Sequence, residues 1–344
     1  MTTPPAQTLT TDEIRRSPSW LPLEPAADNT LRLVRLDEEA YRAASFLDQR
    51  LLGLGYAYST CSVSVLEAAA AGLRARPHYV FHTGHVGSTL ISRLIGAQQG
   101  FFALREPSLL RVLAQSAPAG AALGLDPALA LLARTWRPQE RAVIKVTSFV
   151  SELAAPMLAA DSRSAAIFMF VGPLTFLRSI LAGPNSRLET RQLAPSRLQR
   201  LVRRLGDGEW RAGLHAEGEY IAMTWLCEMT ALYQAAARYK QQVYWVNFDA
   251  FLREPRAGLE AILRFLGAAA AANDIEALVA GPLMHQYSKA PEHAYDAELR
   301  RRVLLSADAE HGAEIGRGMD WLRKVAMRHR LIEAVLDMCE PPAP

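Results

Sequence analysis

Residues 79–95 constrain the fold more than any other stretch of this chain. Tyr79, Val80 and Phe81 form an apolar, strand-like run that stops in the segment His82-Thr83-Gly84-His85-Val86-Gly87-Ser88-Thr89. Leu90, Ile91, Leu94 and Ile95 then recur at helical spacing. Closely spaced glycines let the backbone curl until successive N–H groups face one point, and a helix start adds unpaired N–H groups and the positive end of its dipole. Strand, glycine turn and helix start together predict a cradle for a phosphate-like dianion, held by Gly84, His85, Val86, Gly87, Ser88 and Thr89. An ordinary tight turn between strand and helix is the alternative. His82 reads as a satisfied core histidine.

The rest of the chain repeats the strand-then-helix order. Strand-like runs at 100–104, 142–146, 165–171 and 243–248 alternate with helical patterns opening at Pro107, Pro173 and Pro255, the last capped by Gly267. This alternation predicts an α/β protein of three layers, αβα, with a central parallel sheet whose ligands gather at the strands' carboxyl ends. Residues 1–76 read as an N-terminal extension packed on or capping that core. It has a disordered-looking start, a strand at 31–36 and helices over 37–52 and 62–73. Residues 77–344 read as the α/β domain, with an insert at about 183–219 and a charged helical region at about 294–338. The insert carries seven arginines (Arg187, Arg191, Arg197, Arg200, Arg203, Arg204 and Arg211). Such a run predicts a solvated helix face, with a lid over an anion as the functional alternative. Arg300 to Arg302 likewise read as helix surface.

Composition narrows the classes. Of 344 residues, 50% are hydrophobic and 21% charged, with a net charge of +3, so no basic field calls for nucleic acid. Cys61, Cys227 and Cys339 lack metal-ligand spacing, which suits a reducing, cytoplasmic setting without a metal site. The polar, proline-containing start does not read as a secretory signal, and no apolar run is long enough for a membrane span.

The loop is not of the Walker A type, because Gly87 stands where a lysine should precede Ser88-Thr89. It resembles instead the 5′-phosphosulfate loop of sulfotransferases, which use 3′-phosphoadenosine 5′-phosphosulfate (PAPS). Further segments extend the likeness over about 78–290. Leu104-Arg105-Glu106-Pro107 is similar to the position of a catalytic glutamate in tyrosylprotein-type and related sulfotransferases. Val143-Ile144-Lys145 resembles the strand whose lysine reaches the transferring group in the cytosolic branch. Phe170-Val171-Gly172-Pro173 to Ser179 resembles the 3′-phosphate element, and Val246-Asn247-Phe248-Asp249 to Gly267 a further strand and helix of the family. The wording FHTGHVGSTL, LREP and QYSKAPE looks most like a bacterial branch of these enzymes.

The resemblance implies a P-loop-like sulfotransferase fold and transfer of a sulfuryl group from PAPS to a hydroxyl or amine of a small molecule or glycan, without metal, nucleic acid or membrane as partner. It implies Glu106 as general base, Lys145 over the bridging oxygen, and His85 in place of the loop's usual cation. Ser179 is the implied contact for the 3′-phosphate, with Ser288-Lys289 as a further candidate; Arg178, Lys289 or an arginine of the insert are the open alternatives for its cation. The sequence departs from the family at Val171, where an arginine is usual, and at Thr147, where the cytosolic branch has its histidine. Arg105 reads either as a partner of Glu106 or as a cofactor contact. An ATP-dependent kinase and a decayed nucleotide-binding protein are the competing readings.

Overall fold

The computed structural model describes residues 9–27, 29–116, 122–206, 211, 214–268, 271–286 and 296–339. The chain is ordered earlier than its polar start suggests. Helix α1 (Thr11–Arg16) opens with a capping box between Thr10 and Glu13. Strands β1 (Trp20–Pro25), β2 (Thr30–Arg35) and β3 (Tyr58–Ser62) follow as an antiparallel sheet in that order. Between β2 and β3, the long helix expected over 37–52 is cut short as α2 (Glu38–Ala43). Beyond it the chain turns extended, and the Leu47 N–H bonds to the carbonyl of Arg105 at 2.8 Å, so a tertiary bond displaces a helical one. Helix α3 (Val63–Ala70) leads into the main sheet.

That sheet begins with β4 (His78–His82) and continues through α4 (Ser88–Gly96), β5 (Phe101–Arg105), α5 (Ser108–Ser116), α6 (Leu125–Leu132), β6 (Arg141–Lys145), α7 (Ala154–Ala159) and β7 (Ala166–Phe170). Helices α8 (Pro173–Leu181), α9 (Pro184–Leu205) and α10 (Glu217–Arg238) precede β8 (Val243–Asn247). The chain closes with α11 (Phe248–Arg253), α12 (Pro255–Phe265), α13 (Ala272–Val279), α14 (Ala297–Ala326) and α15 (Arg330–Cys339). The five strands are ordered β5-β6-β4-β7-β8, all pairs parallel. The first strand in sequence thus lies at the centre. The chain leaves it outward to β5, returns through β6, then crosses to β7. The carboxyl end of β4 is therefore the switch point where such sheets bind ligands.

Alternate residues of each strand face two apolar layers. Tyr79, Phe81, Phe102, Leu104, Ile144 and Phe168 join the N-terminal sheet and α3, α5, α6 and α7 in one cluster. Val80, Phe101, Val143, Ile167 and Met169 join α4, α8, α10, α12, α14 and α15 in the other. Burial on both faces explains why these strands read as continuous apolar runs. On the second face α14 presses on α10 at two glycines, where a Cβ on Gly218 would stand 1.8 Å from the Glu314 carbonyl oxygen and one on Gly318 2.6 Å from that of Gly218. No helix among the described residues is long and apolar enough to cross a membrane.

Candidate functional site

The glycine loop leaves β4 at His82, which is buried and bonded at both ring nitrogens. Its Nδ1 accepts the Gly84 N–H at 3.1 Å, so its Nε2 donates to the Val146 carbonyl at 2.8 Å. The core histidine of the sequence reading thus ties the loop to the neighbouring strand. Gly84, His85 and Gly87 have φ of 99°, 54° and 65°, left-handed positions of the kind found where a turn gathers N–H groups into a concave nest. Gly87 is the N-cap of α4 and no side chain caps it, leaving the first-turn N–H groups of Ser88, Thr89 and Leu90 without helical acceptors. The hydroxyls of Thr83 and Thr89 are buried and have no hydrogen-bond partner among the described residues. Uncapped N–H groups and orphaned hydroxyls on one loop fit an anionic ligand that satisfies them. Gly87 is required for a second reason: a Cβ there would fall 2.0 Å from Cζ of Phe248.

A cavity of about 490 Å³ opens beside the loop, lined by His85 to Thr89, Ser179, Phe248 and Arg300 among others. Ser179 sits on α8 with its hydroxyl donating to the Thr175 carbonyl at 2.8 Å. Arg178, its neighbour, is bonded to Asp308 at 2.7 Å and is not among the cavity's lining residues. Val171 is fully buried, and its carbonyl accepts the Trp225 indole N–H at 3.0 Å. Ser288 and Lys289 lie outside the described residues. Arg300, expected on an exposed helix surface, is turned inward. Its side chain is only 14% exposed, bonded to Asp249 at 2.7 Å and set 5.5 Å above the ring of Phe248.

Glu106 and Lys145 do not line this cavity. They meet on the other side of β4, at the carboxyl ends of adjacent strands β5 and β6, where their side chains form an ion pair. Lys145 is completely buried and Glu106 is 15% exposed. Glu106 holds φ of 52°, and its N–H donates to the Lys145 carbonyl at 2.6 Å. A non-glycine residue in this conformation needs support. The N-terminal segment supplies it: Leu47 accepts the Ser108 N–H at 3.0 Å while donating to Arg105, so it brackets Glu106. Arg105 is neither a partner of Glu106 nor a cavity residue. Its guanidinium donates to the carbonyls of Tyr41, Arg42 and Ala44 at 2.5, 2.8 and 2.7 Å, and burial pushes its pKa down to about 9. The same segment brings Phe46 to 6.0 Å from Lys145 Nζ and the Arg50 guanidinium to 3.6 Å from that ring.

The arginine-rich insert contains helix α9, and its arginines divide: Arg197, Arg200 and Arg204 are turned inward, whereas Arg191, Arg203 and Arg211 are exposed as a solvated face would have them. Arg197 and Arg200 bond the fully buried Glu228 at 2.7 and 3.0 Å, and Ser151 donates to the same carboxylate. Burial opposes the charge on Glu228, but Arg200 and Arg197 outweigh it and hold the carboxyl below the usual range. Arg197 also reaches Ser148 Oγ at 3.5 Å, and that atom stands 3.7 Å from where a Cβ on Gly84 would be. The insert is thereby connected to the floor of the loop. Sequence reasoning missed it because Glu228 lies far along the chain.

Fold and site define an α/β protein with a glycine loop and an uncapped helix start at its switch point. No family profile and no curated protein matches the chain. Among solved structures it is similar to the sulfotransferase domain of the curacin biosynthetic pathway, at 14% identity and a TM-score of 0.40 over 79% of this chain and 94% of that one. It is also similar to mouse sulfotransferase SULT7A1 complexed with PAP, at 12% identity and a TM-score of 0.42 over 79% and 93%. A sulfotransferase from Alicyclobacillus acidocaldarius gives 15% identity and a TM-score of 0.37 over 71% and 95%. Likeness of this size carries no weight for chemistry, which rests on the chain's own residues.

Proposed function

We propose that the chain is a sulfotransferase that takes a sulfuryl group from PAPS and passes it to a hydroxyl or amine of a small molecule or glycan. The observation that carries this reading is the state of position 87. A Walker loop needs lysine there, yet the backbone is left-handed and the ring of Phe248 occupies the space of a side chain. The loop therefore offers N–H groups and hydroxyls to an anion but no lysine to a β/γ-phosphate, which disfavours a kinase.

PAPS, when bound, supplies an activated sulfuryl group on a phosphate leaving group. The uncapped N–H groups of Ser88 to Leu90 and the hydroxyl of Thr89 hold that phosphate and stabilise charge developing on it. His85, on the same loop and lining the cavity, adds a polar ring beside the anion. With PAPS bound, the Lys145 ammonium, buried and paired with Glu106 at the ends of β5 and β6, would supply positive charge to stabilise the transferring group. Glu106 accepts the acceptor's proton; general-base assistance contributes about 10²–10⁴-fold. Transfer of this kind depends mainly on alignment and electrostatics, which suits a site with few reactive groups.

Thermal-shift titration separates the readings. Stabilisation by adenosine 3′,5′-bisphosphate supports the proposal, and stabilisation by ATP–Mg²⁺ alone refutes it. Glu106→Gln keeps a carbonyl oxygen for Lys145, so bisphosphate binding persists while PAPS-dependent transfer falls at least 100-fold, roughly the lower end of a general base's contribution. Near-normal turnover in that variant removes Glu106 from the mechanism.

A further inference from the structure

We infer that Arg300 is the cation that receives a second anionic group of the ligand, in the cavity that the loop also lines. The inference rests on the nucleotide reading above and adds a residue to it. Val171, where the sequence leads one to look for this cation, is fully buried and presents only a carbonyl, already bonded to Trp225. Arg178 is held by Asp308 outside the cavity lining. Arg300 does line the cavity, as do the loop and Ser179.

Its surroundings prepare it for an anion. Asp249 holds one side of the guanidinium at 2.7 Å and is itself fixed by the Thr175 hydroxyl at 3.1 Å. Phe248 lies beneath it at 5.5 Å and also fills the space beside Gly87, so one ring is shared by the loop and the cation. A guanidinium has five N–H donors in a planar fork, and bonding to one carboxylate leaves others for a phosphate. Positioning by Asp249 and Phe248 removes part of the ordering cost on binding. The predicted ligand therefore carries two anionic groups, one in the glycine loop and one at Arg300.

The test compares adenosine 3′,5′-bisphosphate with adenosine 5′-monophosphate by calorimetry, on the wild type and on Arg300→Met, which keeps an unbranched apolar stem. The wild type binds the bisphosphate more tightly, and Arg300→Met loses that preference by about tenfold to a hundredfold, the range for a charged hydrogen bond, with monophosphate affinity unchanged. Arg300→Lys retains part of the preference, and it decides the matter if the methionine variant fails to fold. A preference that survives both substitutions overturns the role of Arg300 while leaving the nucleotide reading intact. Equal wild-type affinity for the two nucleotides overturns the second anion site. Binding of neither overturns the nucleotide reading itself.

Discussion

Replacing Gly87 by alanine perturbs both the loop and the cavity through one atom. The residue sits at φ of 65°, where an L-side chain costs about 1–2 kcal/mol. Its Cβ would also stand 2.0 Å from Cζ of Phe248, a ring that is 6% exposed and cannot move outward freely. Overpacking of this kind adds about 1–3 kcal/mol, for a total near 2–5 kcal/mol. Gly84→Ala is the internal control. At φ of 99° it carries backbone strain of about 1–3 kcal/mol, but its nearest neighbour, Ser148 Oγ, is 3.7 Å away in ordinary contact. Urea denaturation should therefore rank Gly87→Ala below Gly84→Ala. Gly87→Ala should also lose thermal stabilisation by adenosine 3′,5′-bisphosphate, because the displaced ring carries Arg300 with it. The steric part can be isolated by adding Phe248→Leu. If the clash is real, Phe248→Leu costs less in the Gly87→Ala background than in the wild type. Strict additivity would refute the steric argument.

Three further outcomes follow from buried charge. Glu228→Gln leaves Arg197 and Arg200 without their shared counter-charge and should cost about 3–5 kcal/mol in urea denaturation; a variant as stable as the wild type would show the pair to be dispensable. His78 is pushed down to about 4, first by burial and then by Arg141, while its Nδ1 accepts the Ala165 N–H at 2.8 Å. A histidine depressed in the folded state gives stability that is complete above its unfolded pKa and lost as pH falls through the window from about 6.5 to 4. At pH 5 the loss attributable to it is about 2 kcal/mol, and His78→Asn should flatten the stability–pH curve by that amount. Arg105→Met abandons three backbone carbonyls, so tryptic cleavage after Arg42 and Arg50 should become faster than in the wild type. Unchanged cleavage kinetics would mean that other contacts hold the segment.

What could be read from the sequence was what is local. The strand, the two glycines and the helix start are contiguous, and the glycines mark where the backbone turns left-handed, although His85 between them takes positive φ as well. The alternation of apolar strands and Pro-started helices likewise marks the parallel sheet, since each element carries its own period. Charge was misread because its partners are remote. Arg197 and Arg200 look like a solvated face until Glu228, some thirty residues on, is placed against them. Arg300 looks like a surface arginine until Asp249, 51 residues earlier, and Phe248 are brought beneath it. The 37–52 segment has helical composition, but Leu47 finds Arg105 across the fold and the helix ends first.

These placements divide the site into two halves that fail independently. The loop, Phe248 and Arg300 lie on the β4, β7 and β8 side and contact nucleotide in our reading, whereas Glu106 and Lys145 lie at the carboxyl ends of β5 and β6 and are supported by residues 41–47. Substitutions on the first side should weaken nucleotide affinity and act on turnover through occupancy, so that saturating donor restores much of the rate. Substitutions on the second side should leave affinity alone and lower the rate at saturation. Leu47→Pro tests the division most sharply, because it removes the N–H that bonds Arg105 without touching either charged residue. Its expected signature is near-normal binding of adenosine 3′,5′-bisphosphate with a depressed maximal rate. Loss of nucleotide affinity in that variant would mean that the two halves are coupled through β4, and the division would fall.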